Sequence, residues 1–111
     1  MAKQISIILL IAISLFSSCS KEKYPIVKYY VNTSSSTQIL YSMVTPTLTQ
    51  ETVSGSWTLS FRYSRGKKVF LSALTPLLGS TTISVYINNE LLSTKSTQNT
   101  GELIVIDEEI P

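Results

Sequence analysis

The sequence predicts an all-β fold: an antiparallel Ig-like β-sandwich of seven or eight strands behind an N-terminal signal segment. Three observations predict it. Past residue 25, no stretch carries the three-to-four-residue apolar spacing of an amphipathic helix. Ser, Thr, β-branched and aromatic residues dominate there and Ala is scarce, a composition suited to a pleated, half-buried surface. Short runs of such residues recur with turn residues between them.

The first strand is read as IVKYYVN, Ile26 to Asn32, entered from Pro25, whose missing N–H does little harm at a strand start. TSSS, Thr33 to Ser36, reads as a turn, and Thr37 to Thr45 as the second strand. Pro46 to Gly55 is a polar connection with room for a short edge strand at Thr47 to Thr52. In SWTLSFRYS, Trp57, Leu59, Phe61 and Tyr63 alternate with Thr58, Ser60, Arg62 and Ser64. That strict period of two marks a strand with one face on a core and one in water. Gly66 turns the chain, and Lys68 to Leu74 returns beside it. Pro76 and Gly79 mark a break. Thr81 to Ile87 follows with Ile83, Val85 and Ile87 inward, and Asn88-Asn89 forms a tight hairpin, since Asn tolerates left-handed backbone. Glu90 to Ser96 runs back, Asn99 to Gly101 turns, and Glu102 to Glu109 is the last strand. An Ig disulfide is impossible with a single cysteine, so packing alone must hold the core. A small open barrel is the alternative architecture.

The N-terminus sets the expected location. Lys3 gives a positive start, Ile5 to Phe16 is almost wholly apolar, and Ser17, Ser18 and Cys19 precede the charged Lys21-Glu22-Lys23. This is the pattern of a secretory signal, and about a dozen apolar residues fall short of the roughly 20 needed to span a bilayer. Leu15 to Cys19 resembles a bacterial lipobox, with small Ser18 before the cysteine and Phe16 where Leu is common. The resemblance implies acylation of Cys19, removal of residues 1–18, a lipidated tether over 19–25 and a β domain over 26–111. Acylation also removes a thiol that has no pairing partner in an exported chain. Two or more acyl chains give stable anchoring where one is marginal. Ser20 to Lys23 is similar to surface-export signals of some Gram-negative lipoproteins. The expected location is therefore the bacterial cell envelope, anchored by lipid, at the outer membrane.

Composition narrows the function. The 111 residues carry nine basic and seven acidic side chains, a balance that does not suggest nucleic-acid binding. There is no histidine, the one thiol is assigned to lipid, and no Gly-x-Ser-x-Gly is present. The usual general base and activated nucleophiles are therefore missing. No enzymatic activity, catalytic residue, metal site or cofactor is expected. Asp107, Glu108 and Glu109 lack the glycine-bearing loop of a calcium site and read as a solvated end.

The strand order resembles the extracytoplasmic domain of the mycobacterial membrane protein small (MmpS) family. Val27, Tyr29 and Val31, Ile39-Leu40-Tyr41, Trp57, and Ile83 to Asn89 carry the resemblance. The chain departs from that family at Ser56, where Pro is frequent, and at Asn88-Asn89, where Asp-Gly or Asn-Gly is frequent. The resemblance implies a β-sandwich outside the inner membrane that serves as accessory to an exporter.

Partner contact is expected from two features. Tyr29 and Tyr30 are adjacent and point to opposite faces, which leaves one of them exposed, and Tyr30 is the candidate for partner contact. Arg62, Arg65, Lys67 and Lys68 crowd one turn and suit an acidic partner or lipid headgroups. Trp57 is expected in the core, because it shares a face with Leu59, Phe61 and Tyr63. The leading expectation is a non-catalytic, membrane-tethered module that binds an envelope protein. The alternative is a binder of a small ligand or glycan.

Overall fold

The computed structural model describes residues 23–45, 47–75 and 78–111. The expected signal segment and Cys19 lie outside the described residues, as does the tether up to Glu22. Six strands follow: β1 (Ile26–Ser42), β2 (Leu48–Arg62), β3 (Lys68–Leu74), β4 (Thr81–Ile87), β5 (Glu90–Thr97) and β6 (Leu103–Glu109). All pairings are antiparallel and belong to one sheet in the order β5-β4-β1-β3-β6, with β2 also on β1. The sheet curls until it nearly closes as a barrel. The open-barrel alternative describes it more closely than an Ig-like pair of sheets.

The expected count of seven or eight strands is corrected to six. Each segment read as a strand is one, but two pairs of them are continuous. TSSS is not a turn. It lies within the 17-residue β1, as a bulge between Thr33, opposite Gly55, and Thr37, opposite Val53. Likewise Leu48 to Thr52 of the short edge strand and Ser56 to Arg62 of SWTLSFRYS are both parts of the 15-residue β2, which leaves out Thr47, Tyr63 and Ser64.

The bulge bends β1 so that its two halves serve two halves of the barrel. Val27 to Thr33 pairs with β4, and Gln38 to Tyr41 pairs with β3. Buried threonine hydroxyls hold this corner. Thr33 Oγ1 lies 2.7 Å from Thr37 Oγ1 and 3.0 Å from Thr81 Oγ1, and Thr37 Oγ1 lies 3.2 Å from Thr75 Oγ1. A contact between Thr75 and Thr81 closes a ring of four. Hydroxyls that would otherwise be buried without partners satisfy one another. Gly79 permits the close approach of the next loop: a Cβ there would sit 2.6 Å from Ser34 Oγ and 2.8 Å from Ser35 Oγ.

The core is the inward row of each strand. Val27, Tyr29, Val31, Ile39, Val69, Leu71, Ile83, Val85 and Ile106 are all essentially inaccessible. Burial of each such side chain contributes about 1.5–3 kcal/mol. The two-residue β4–β5 hairpin forms as read, with Asn88 and Asn89 at φ 50° and 67°.

Candidate functional site

Aromatic side chains gather on the inner face of β2. Trp57, Leu59 and Phe61 stand opposite Val31, Tyr29 and Val27 of β1 and pack on the core. Phe61 meets Tyr29 edge-on with centroids 5.2 Å apart, and Trp57 tilts against Tyr41 at the same separation. Trp57 nevertheless keeps partial exposure, as do Leu59, Phe61 and Tyr63. The reason is topological: β2 pairs with β1 alone, and its other edge meets no strand among the described residues. At the other end of β2, the Tyr41 hydroxyl donates to Glu51 Oε2 at 2.8 Å. Burial, then this carboxylate, raises the Tyr41 phenol above its ordinary value.

A second surface lies on the outside of the barrel, over β2, β1, β3 and β6. The register places Leu40 in a row with Ser72 and Val105, and Gln38 with Leu74 and Leu103. Ser42, opposite Leu48, and Phe70, opposite Asp107, flank these rows. Leu48 and Leu103 are about half exposed, at 49% and 57%, and Leu40, Phe70, Leu74 and Val105 are partly exposed. The outward face of an antiparallel sheet is ordinarily polar. Six apolar side chains stand on this outward face, interleaved with Gln38, Ser42, Ser72 and Asp107; grouped exposed apolar residues are a feature of interaction surfaces. The outward face of the other half carries Lys28, Asn32, Ser60, Thr82 and Ser84, together with Tyr30, Tyr86 and Leu91.

The structure sorts the residues expected from the sequence. Tyr30 points outward on β1 between Thr58 and Ser84, partly exposed, on the same outward face as Lys28. Arg62 shares that face and donates from Nη1 to the Tyr24 carbonyl at 3.0 Å. Arg65 donates from Nη1 to the Pro111 carbonyl at 2.7 Å. Lys68 stands opposite Glu109, so the acidic run borders the basic turn and offsets its charge. The turn itself is clamped to the last strand by Gly66 N to Ile110 O and Ile110 N to Lys67 O, both 2.8 Å. This end of the barrel is also where Lys23 to Pro25 lead into β1.

The apolar outer face was missed in the sequence. Its signal is present: KVFLSAL and LIVI are apolar on both faces, where a strand with one wet face alternates. Also unforeseen is a cavity of about 320 Å³ beside Arg65, lined by Ile87, Asn88, Glu90, Leu91 and Leu92. Among the described residues, no group of three His, Cys, Asp or Glu is placed to hold a metal ion. No helix among them is long and apolar enough to cross a membrane. Compared with known proteins, the chain matches no family model, no curated protein and no solved structure.

Proposed function

We propose that this chain is a lipid-anchored, non-catalytic interaction module of the bacterial cell envelope. Acylated Cys19 holds it to the outer membrane, and a protein partner docks on the apolar outer face of β3 and β6. The observation that carries the reading is the row Leu74–Leu103 beside Leu40–Val105, apolar side chains on the solvent side of a sheet. The sequence around Cys19 supports the anchor. Ser20 to Pro25 extends about 20 Å at roughly 3.3 Å per residue, which keeps the domain within reach of membrane complexes. Accessory service to an envelope complex or transporter fits a small domain with a docking face and no histidine or activated nucleophile.

The test is capture from native membranes with the full-length protein and its Leu103→Lys and Leu74→Lys variants. One specific protein should be recovered with the wild type and lost with both variants. Recovery of no specific protein, or equal recovery with the variants, refutes the docking face. The intact mass of the extracted protein tests the anchor separately: a chain starting at Cys19 plus lipid is expected, and unmodified Cys19 refutes it.

The second reading, a small-ligand or glycan binder, rests on the cavity beside Arg65. It predicts a thermal shift with a soluble ligand that Leu92→Trp, which fills the cavity, abolishes.

A further inference from the structure

We infer that a second copy of this chain pairs antiparallel with the stretch Trp57–Tyr63, the end of β2 and the residue after it, about a two-fold axis at Ser60. One sheet then runs continuously through two molecules. This surface is distinct from the apolar outer face.

Four observations converge on β2. Its far edge pairs with no strand among the described residues, although at 15 residues it is the second-longest strand. Natural edges are ordinarily protected by lysine, proline or inward-pointing charge. From Trp57 to Tyr63 the stretch contains no proline, no lysine and no inward-pointing charge; its one charged residue, Arg62, faces outward, where the axis sets it against Thr58. Its inward row is apolar yet only partly covered, because one flank has no neighbour.

Self-complementarity selects the occupant. Residues directly opposite in an antiparallel pair share a face. An axis at Ser60 therefore sets Leu59 against Phe61 of the second copy and Trp57 against Tyr63. Every inward residue of the stripe meets an apolar or aromatic one. On the outward side, Ser60 meets Ser60. An axis at Gly55, the centre of β2, overlaps the whole strand but sets Glu51 against Leu59. The positive φ of Gly55, 76°, also bends β2 there and leaves the Ser56–Arg62 half as a separate run.

Seven paired residues cover about 23 Å of strand at roughly 3.3 Å each. That contact is smaller than the ~800 Å² per partner of a standard stable interface, so the pair is weak in dilute solution. Confinement of both copies to one membrane raises their effective concentration and favours it. That confinement rests on the lipid anchor proposed above; the pairing geometry does not.

The test uses full-length chains carrying two different affinity tags, co-expressed and extracted from membranes. Ser60 is exposed and faces outward, so its variants spare the core. Wild-type copies should co-purify, and Ser60→Cys should give a disulfide-linked homodimer on mild oxidation. Ser60→Cys tests the axis itself, because only a two-fold there brings the residue against its own copy. Ser96→Cys on β5 should give none. Ser60→Asp in both copies sets like charges directly opposite and should cut co-purification about tenfold. Pairing Ser60→Asp with Ser60→Lys should restore it. Lys28 stands opposite Ser60 on β1, so melting temperatures of both variants are measured to confirm that each is folded. Equal co-purification of the Asp pair overturns the inference. So does a mixed pair no better than the Asp pair, or a Ser60→Cys adduct to a different protein. Leu103→Lys leaves this result unchanged, so loss of the envelope partner and loss of self-pairing are separable.

Discussion

The hydroxyl of Tyr29 donates a 2.8 Å hydrogen bond to the main-chain carbonyl of Ser42, thirteen residues along the same strand. Both ends of β1 are thereby joined across the interior, over the bend at Thr33–Thr37. The rings of Tyr29 and Tyr41 also meet edge-on, with centroids 6.2 Å apart. A strand that closes on itself in this way ties the two halves of the barrel together.

Removal of that bond should loosen the closure. Tyr29→Phe keeps the ring and leaves the Ser42 carbonyl buried without its donor, a loss of about 1–2 kcal/mol. For a domain of this size each 1 kcal/mol corresponds to roughly 4–8 °C in melting temperature. Calorimetry of the pair measures it, and an unchanged melting temperature refutes the role.

The same residue sets a pH dependence. Burial pushes the Tyr29 phenol up to about 12, from an ordinary value of 10. A group whose folded pKa is raised binds protons more tightly in the native state. Its stabilisation is complete below about pH 10 and is lost as pH rises through about 12. Tyr41 is shifted in the same direction. Denaturant melts should therefore show stability falling across that window, less steeply in Tyr29→Phe and least in the double variant with Tyr41→Phe. An equal slope in all three would sink the assignment.

The corner hydroxyls make a paired prediction. Thr37→Val is nearly isosteric, but it removes a hydroxyl that lies between Thr33 and Thr75. It should destabilise by about 1–3 kcal/mol, because its neighbours are left underbonded. Ser35 Oγ is buried and has no hydrogen-bond partner among the described residues. Ser35→Ala should be neutral within about 0.5 kcal/mol, or stabilising. Chemical denaturation of both variants checks the contrast, and a large loss in Ser35→Ala contradicts it.

This corner also shows how far the sequence could be read. The strand segments were legible because each alternates. The joins were not, because Ser and Thr at 33–36 carry the composition of a turn. What decides the matter is phase. The inward row runs Val27, Tyr29, Val31, Thr33, then Thr37, Ile39, Tyr41, all odd positions, so the bulge adds two residues and keeps the faces. A true turn has no need to preserve that phase. The stripe on β2 was legible from its period, whereas its unpaired edge depends on which strands become neighbours. No local pattern encodes that. The apolar outer face is legible in part, in the unbroken apolar runs of β3 and β6, but its assembly from four strands exists only in the fold.

Gly79 offers a test of the packing against the bulge. An added Cβ meets Ser34 Oγ, which accepts from Ser80 N at 2.8 Å and cannot yield without loss of that bond. Gly79→Ala should cost about 1–3 kcal/mol. Ser34→Ala placed in the same chain removes the nearer clash, so the double variant should be more stable than the sum of the two single effects. A strictly additive cycle, read by thermal melts, argues that the loop relaxes elsewhere.

The β4–β5 hairpin yields the last prediction. Both central residues have positive φ, as a type I′ turn requires, and Asn-Gly suits that turn better than Asn-Asn. Asn89→Gly should therefore hold or raise stability by a few tenths of a kcal/mol, about 0.5 at most. Asn88 does more than turn the chain. Its Oδ1 accepts from Ile26 N at 2.9 Å, and its own N–H donates to the Ile26 carbonyl at 2.9 Å. The hairpin thus grips the first residue of β1, where the chain leads in from the expected tether. Asn88→Ala loses the side-chain bond and meets steric strain at φ 50°, with an expected cost of about 1–2 kcal/mol. Amide hydrogen exchange separates this from a general loss of stability. Ile26 N–H should exchange faster in Asn88→Ala while Val85 and Leu71 in the core keep their protection. Uniform acceleration across all strands would show that Asn88 supports the whole fold rather than the start of β1.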